Sequence, residues 1–149
     1  MNRKEFLSDC GRMGFAGVAL SLFPWLESCS EKAKQEVKGE KARIGIIGTG
    51  SRGVFHIKHL LQMSNVEVVA LCDNYRPHLE DALQYYPKAK AYDDYHRLLE
   101  DANVQGVIIA TPLYLHAQMT MDALRAGKHV FCEKPVAVSY ELACEMASE

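Results

Sequence analysis

Short apolar runs alternate with helix-length amphipathic segments along residues 42–149. The apolar runs predict strands at residues 44–47, 66–73, 106–110 and 129–133, and a further short strand is predicted at residues 90–92. The segments between them, in which apolar residues recur every three to four positions, predict helices at residues 51–63, 77–86, 95–100, 112–126 and from 140 onward. Regular alternation of strand and helix is typical of βαβ units. The predicted fold class is therefore α/β, a doubly wound parallel sheet with helices on both faces.

Capping signals mark the ends of several predicted helices. Thr111 is predicted to cap the fourth helix, with Pro112 at its first position and Gly127 just past its end. Ser139 is predicted to cap the last helix, and Pro77 to begin the second. The last helix keeps its spacing to the end of the sequence without a stop signal. We therefore expect the chain to be the front of a longer protein, with about a hundred residues in one domain.

A glycine-rich motif, Gly-Thr-Gly-Ser-Arg-Gly at residues 48–53, lies between the first strand and the first helix. Gly48 is predicted to form a tight turn, Gly50 to let the backbone approach a pyrophosphate, and Gly53 to let the helix pack close to the strand. The anion would then contact the N-terminus of the helix, where backbone N–H groups point outward. The alternative is a simple turn between strand and helix.

An acidic residue, Asp73, ends the second predicted strand about twenty residues after the last glycine of the motif. A carboxylate at this position can accept hydrogen bonds from the hydroxyls of a ribose. Together with the glycine motif it predicts a dinucleotide site of the Rossmann type. A carboxylate there would repel a 2′-phosphate, which favours NAD over NADP. Arg52 and Arg76 lie close enough in sequence to weaken that preference.

Three loops are predicted to meet at one edge of the sheet. With the strand order 3-2-1-4-5, ligands bind at the carboxyl ends of strands 1 and 4. The glycine motif follows strand 1, residues 111–116 follow strand 4, and Glu133 with Lys134 follow strand 5. Cys72 and Cys132 would lie two strands apart, too far to form a disulfide.

Four motifs occur in a characteristic order: the glycine motif, Thr111-Pro112 followed four residues later by His116, Ala-Gly-Lys-His-Val at residues 126–130, and above all Cys-Glu-Lys-Pro at residues 132–135. In this combination they resemble the glucose–fructose oxidoreductase, inositol dehydrogenase and MocA-like family. The resemblance covers residues 42–149. It implies a Rossmann domain followed by a larger α/β domain that carries the substrate site and oligomer contacts, and it implies a homo-oligomer. It also implies that the lysine of the Glu-Lys-Pro motif, here Lys134, is catalytic together with an aspartate and a histidine of the second domain.

The chemistry expected of Lys134 agrees with that resemblance. Oxidation of a sugar hydroxyl removes a proton as hydride leaves, and an ammonium beside the oxygen stabilises the developing alkoxide. The alternative is a solvated lysine at the end of a strand. Glu133 is predicted to help place the nicotinamide. The predicted cofactor-binding residues are Gly48, Thr49, Gly50, Ser51, Arg52, Gly53, Asp73, Thr111, Pro112, His116, Glu133 and Lys134.

The other histidines are predicted to be less informative. His116 is either a cofactor contact or a packed residue of a helix face. Four other histidines are predicted to lie on the surface: His56, His59, His78 and His96. No metal-ligand spacing occurs. Lys and Arg number 17 against 19 Asp and Glu, a net charge of −2, which makes nucleic acid an unfavourable partner.

The first 29 residues are predicted to form an export signal. A basic pair precedes Phe-Leu and an uncharged apolar run, similar to a twin-arginine signal with lysine as the second basic residue. The segment ends in Leu-Glu-Ser-Cys, which resembles a lipobox with Cys29 as the lipidated residue and membrane anchor; ordinary cleavage, or an amphipathic helix on a cytoplasmic enzyme, is the alternative. Residues 30–41, rich in Glu and Lys, predict a linker.

Together with the predicted dinucleotide site, the resemblance implies an NAD-dependent oxidoreductase that acts on a sugar or sugar-like polyol. Because nicotinamide cofactors are not expected to be supplied freely outside the cytoplasm, an exported enzyme would bind its cofactor tightly and reoxidise it in place. Two alternatives remain. One is an NAD-dependent glycoside hydrolase that oxidises its sugar transiently. The other is a dinucleotide-binding module without turnover, because residues 42–149 alone are expected to be inactive.

Overall fold

The computed structural model describes residues 39–149 and confirms the predicted fold class. Five parallel strands form one sheet in the order β3-β2-β1-β4-β5. The strands are β1 (Ala42–Ile47), β2 (Val66–Cys72), β3 (Lys90–Tyr92), β4 (Gly106–Ile109) and β5 (His129–Cys132). The helices are α1 (Ser51–Leu60), α2 (Arg76–Leu83), α3 (Tyr95–Leu99), α4 (His116–Arg125) and α5 (Tyr140–Ser148), with a short 3₁₀ helix at Leu113–Leu115.

The central strand β1 is covered on both faces. Ile46 packs with Ile57 of α1 and Leu79 of α2, whereas the adjacent Ile47 packs on the other face with Leu98 of α3 and Ala123 of α4. These side chains are almost wholly buried because successive residues of a strand point to opposite faces of the sheet. A strand buried on both faces reads as a continuous apolar run, which is why the sequence pattern locates it.

The start of α4 corrects one prediction. The helix begins at His116, and neither Thr111 nor Pro112 caps or opens it, because Pro112 has an extended ψ of 142°. A residue before proline also avoids the helical region, so Thr111 stays outside the helix, and the 3₁₀ helix Leu113–Leu115 precedes α4. The predicted end is confirmed: Gly127 has a φ of 71°, and its N–H donates to the carbonyl of Leu124.

Other element ends differ from the predictions by one to three residues. α1 ends at Leu60 rather than residue 63, and α2 spans Arg76–Leu83 rather than 77–86. The Ser139 cap is confirmed, since its hydroxyl accepts from the Leu142 N–H at 3.3 Å. Cys72 and Cys132 are free thiols on β2 and β5, and burial raises the pKa of Cys72 to about 12.

The export signal predicted for residues 1–29 lies outside the described residues, as does most of the predicted linker. Within residues 39–149, no helix has both the length and the apolar character needed to cross a bilayer. The same part of the chain holds no cluster of three or more His, Cys, Asp or Glu side chains with the geometry of a metal site.

Candidate cofactor and active site

A cleft of about 660 Å³ lies at the carboxyl edge of the sheet, where the loops after β1, β2 and β4 meet. Its volume is in the range of small-molecule and cofactor sites. Of the predicted cofactor residues, those lining it are Gly48, Gly50, Asp73, Thr111 and Pro112. A shallower depression beside it is lined by Thr49 and Ser51. Glu133 and Lys134 follow β5 at the same edge but do not line this cleft.

Two glycines of the motif shape the turn from β1 into α1. Gly48 has a φ of +89°, and a Cβ there would lie 2.8 Å from the backbone of Ala110. A Cβ on Gly53 would lie 2.0 Å from the carbonyl oxygen of Gly48. Real Cβ atoms do not approach backbone this closely, so both positions require glycine. The predicted tight turn and close helix packing are confirmed.

Gly50 differs from these two, and this difference bears on the cofactor. A Cβ on Gly50 would meet only the imidazole of His78, 3.4 Å away, an ordinary contact. Protein packing therefore gives no reason for glycine here, whereas a pyrophosphate at the N-terminus of α1 does. No side chain caps that N-terminus, and the first turn carries no acidic residue. The residues at this edge of the sheet fit a dinucleotide.

Asp73 is held against the glycine loop at the edge of the cleft. Its Oδ2 accepts from the Thr49 N–H at 2.8 Å, and its Oδ1 accepts from the Tyr75 N–H at 2.8 Å. Thr49 is buried, so this carboxylate has a fixed position beside the turn. The nearest imidazole nitrogen, Nδ1 of His78, lies 3.7 Å from Oδ2. Asp73 is thus a fixed acceptor on the β2 side of the cleft.

The two arginines that could weaken a preference for NAD are each paired with a carboxylate. The Nε of Arg76 donates to Glu80, one turn along α2, at 2.7 Å. The Nε of Arg52 donates to Glu133 at 2.6 Å, and its guanidinium lies over the ring of Phe55. Exposed pairs of the first kind contribute little energy and exchange partners readily. Loss of the Arg52 pair would cost more, because it would remove a partner from the charged and buried Glu133.

Glu133 is the centre of a cluster that joins β5 to α1. Its side chain is 7% exposed, and its Oε1 accepts from the Nε of Arg52 and lies 2.6 Å from the Nε2 of His56. Its Oε2 accepts from the Lys134 N–H at 3.0 Å. The hydrogen bond from Arg52, supported by His56 and opposed by burial, lowers the pKa of Glu133 to about 2. The carboxylate is therefore ionised and already bonded to α1.

His56 corrects the prediction that it is a surface residue. Its side chain is only 14% exposed, and its ring packs edge-on against Phe131 with centroids 5.6 Å apart. Sequence reasoning missed it because its carboxylate partner lies 77 residues further along the chain. The available signal was its position four residues after Arg52, which places both side chains on one face of α1.

His116 joins the loop after β4 to the loop after β5. The ring is 3% exposed, with Nδ1 2.8 Å from the carbonyl oxygen of Pro135 and Nε2 2.9 Å from that of Thr111. A neutral imidazole has one N–H, so only the protonated ring donates to both carbonyls. His116 is a packed residue in this structure, and its contact with the cofactor stays a prediction.

Lys134 is exposed at the end of β5, and the Lys134–Pro135 peptide is cis. The register pairs Ile109 with Cys132, so the residues after β5 lie beside those after β4. Glu133 continues that ladder by donating to the carbonyl of Ile109 at 3.0 Å. The lysine therefore follows directly on the strand that borders the Thr111 loop.

The strand order, the glycine turn and the acidic residue after β2 together define a dinucleotide-binding Rossmann domain. Residues 42–149 match the model of an oxidoreductase family described as an NAD-binding Rossmann fold. The chain belongs to this Gfo/Idh/MocA family, as the motifs of the sequence predict.

Two curated relatives illustrate the range of the family. An inositol 2-dehydrogenase from Salmonella typhimurium is 44% identical over 65% of this chain and 30% of the relative. A glycosyl hydrolase family 109 protein from Shewanella pealeana is 32% identical over 95% of this chain and 35% of the relative. The chain thus spans about a third of the length of the curated relatives it matches.

Two solved structures have the same fold in this region. The myo-inositol dehydrogenase from Lactobacillus casei, in complex with NAD(H) and myo-inositol, matches with a TM-score of 0.69 and 32% identity over 72% of this chain and 32% of that protein. A 3-ketoreductase from Actinomadura kijaniata, in complex with NADP, matches with a TM-score of 0.69 and 27% identity over 73% of this chain and 34% of that protein. Both nicotinamide cofactors therefore occur among its structural neighbours.

Proposed function

We propose that this chain is the cofactor-binding part of an NAD-dependent oxidoreductase that acts on a sugar or sugar-like polyol. The observation that carries the proposal is the position of Lys134, which is exposed and follows β5 at the sheet edge that carries the glycine turn and the cleft. Its ammonium is suited to stabilise an alkoxide as a hydroxyl loses its proton. Bound NAD would supply the hydride acceptor. The substrates named for the inositol dehydrogenase relatives support a polyol as the substrate class.

We propose that turnover requires the further length that the relatives have, because their chains are about three times as long as the part matched here. The longer protein is called the complete protein below. Within this chain, the backbone N–H groups at the N-terminus of α1 would hold the pyrophosphate, and Asp73 would accept from the ribose. Homo-oligomerisation would belong to the complete protein.

We propose NAD rather than NADP as the cofactor. The fixed carboxylate of Asp73 would repel a 2′-phosphate, and the guanidinium of Arg52 is hydrogen-bonded to the buried Glu133. Asp73→Ala should reduce the ratio of NADP to NAD dissociation constants by about tenfold or more, a difference of about 1.4 kcal/mol. Calorimetric titration of both cofactors measures that ratio, with Glu67→Ala on the same strand as the control. Equal affinities of the unmodified protein for NAD and NADP would show that Asp73 does not select between the two cofactors.

An NAD-dependent glycoside hydrolase is the second candidate, because the family 109 relative aligns with 95% of this chain. The two functions differ in their net products. We expect the complete protein, loaded with NAD and given myo-inositol or glucose, to form the ketone or lactone and reduced, protein-bound cofactor in equal amounts. Cleavage of nitrophenyl glycosides without accumulation of oxidised sugar would establish the hydrolase instead. Chromatography of the sugars with absorbance of the reduced nicotinamide distinguishes the two outcomes.

We also propose export, with a membrane anchor at Cys29 and a tightly held cofactor, on the basis of the first 29 residues. A reporter fused after Lys41 should leave the cytoplasm. With Cys29→Ala, the exported reporter should be released from the membrane fraction. A reporter that stays in the cytoplasm would contradict the proposal and remove the reason for expecting a captive cofactor.

A further inference from the structure

Lys134 lies between Glu133 and Pro135, and these two residues are hydrogen-bonded to helices on opposite faces of the sheet. On one side, Glu133 is bonded to Arg52 and His56 of α1. On the other, the carbonyl oxygen of Pro135 lies 2.8 Å from the Nδ1 of His116, the first residue of α4. We propose that His56 is a positioning residue for Lys134, acting through the carboxylate of Glu133. This inference rests on the proposed function, in which Lys134 is the catalytic group.

The first step of the argument is the end of the strand. The last ladder hydrogen bond of β5 runs from the Glu133 N–H to the carbonyl of Ile109. The next N–H, that of Lys134, donates to the Oε2 of Glu133. The backbone position of Lys134 therefore depends on the orientation of the Glu133 carboxylate, which in turn depends on what holds its other oxygen.

The second step is the charge of that carboxylate. Glu133 is ionised and nearly buried, and a buried charge is stable only when it is paired and hydrogen-bonded. Arg52 is half exposed, with 48% of its side chain accessible, and its long chain has several rotamers. His56 is 14% exposed and is packed against Phe131, so its ring is the more rigid of the two donors.

The third step is the element that carries His56. α1 begins at the glycine turn, where the pyrophosphate would contact the helix N-terminus, and His56 lies one turn further on. A bond from this helix to Glu133 thus sets the distance between the cofactor-binding turn and the end of β5. Reaction geometry is sensitive to such distances, since a displacement of about 1 Å can lower a rate about a hundredfold.

The test compares His56→Leu with His59→Leu in the complete protein. His59 lies on the same helix and is exposed. Within the described residues, the hydrogen-bond partner of its ring is the carbonyl oxygen of Phe55. We expect His56→Leu to lower kcat by about tenfold or more and to raise the primary deuterium isotope effect on kcat. The dissociation constant for NAD, measured after removal of bound cofactor, should change by less than about threefold, and His59→Leu should behave as the unmodified protein.

A second pair of variants separates positioning from simple loss of stability. His56→Gln keeps a side chain long enough to donate to Glu133, so it should retain kcat within about threefold. His56→Asn is polar but shorter, so it should resemble His56→Leu. Equal kcat values for the Gln and Asn variants, or for the two Leu variants, would overturn the inference. If Lys134→Ala keeps the rate of the unmodified protein, the proposed function fails. If Lys134→Ala loses that rate but the His56 variants keep it, the inference about His56 alone fails.

Discussion

Lys134→Ala should lower the rate of the oxidation step in the complete protein by about a hundredfold or more. This is the lower end of the loss expected when a positioned proton-transfer or alkoxide-stabilising group is removed. The substitution removes the exposed ammonium but leaves the backbone N–H that donates to Glu133. Stopped-flow absorbance of the reduced nicotinamide under single-turnover conditions measures the step directly.

The affinity for NAD should change far less in the same variant. The pyrophosphate contacts would come from backbone N–H groups of α1 and the ribose contact from Asp73, and the substitution alters neither. Lys88→Ala, an exposed lysine before β3, is the matched control and should leave both quantities unchanged. Near-normal hydride transfer in Lys134→Ala would mean that Lys134 is only a solvated lysine at the end of a strand.

Gly53→Ala should cause the largest loss of stability among the glycine substitutions in the motif. The added Cβ would lie 2.0 Å from the carbonyl oxygen of Gly48, and this backbone atom cannot move without opening the turn. We expect the free energy of unfolding to fall by about 3 kcal/mol or more, at the upper end of overpacking effects. NAD binding should be lost in parallel, because the turn would no longer present the N-terminus of α1.

Gly127→Ala is the control for this prediction. Gly127 also has a positive φ, +71°, but a Cβ there would meet no atom within 4 Å. Its cost is therefore backbone strain alone, about 1–2 kcal/mol. Urea denaturation of both variants measures the difference, and equal losses would show that the turn relaxes around the methyl group.

The sequence predicted the fold well because the information is local. β1 and β4 are buried on both faces, so their apolar runs indicate strands directly. The glycine turn was predictable for a similar reason, since spacing within six residues determines which positions need glycine. The parallel order then follows from the alternation of strands and helices.

The parts that the sequence missed depend on contacts between distant residues. Thr111-Pro112 has the residue types of a helix start, yet Pro112 is extended and a 3₁₀ helix, Leu113–Leu115, precedes α4. The bonds from Arg52 and His56 to Glu133 span about eighty residues, so no local pattern marks them. Sequence spacing located Glu133, but only the fold shows that its carboxylate is bonded to α1.

The most direct test of the account is a calorimetric titration of NAD into the complete protein, freed of bound cofactor, and into its Gly50→Ala variant prepared in the same way. A Cβ at Gly50 fits the protein, since it meets only His78 at 3.4 Å, but it would lie where the pyrophosphate is expected. The account predicts saturable binding of one NAD, weakened by about tenfold or more in the variant, with an unfolding free energy changed by less than about 1 kcal/mol. Equal binding by the two proteins, or no binding by either, would contradict it.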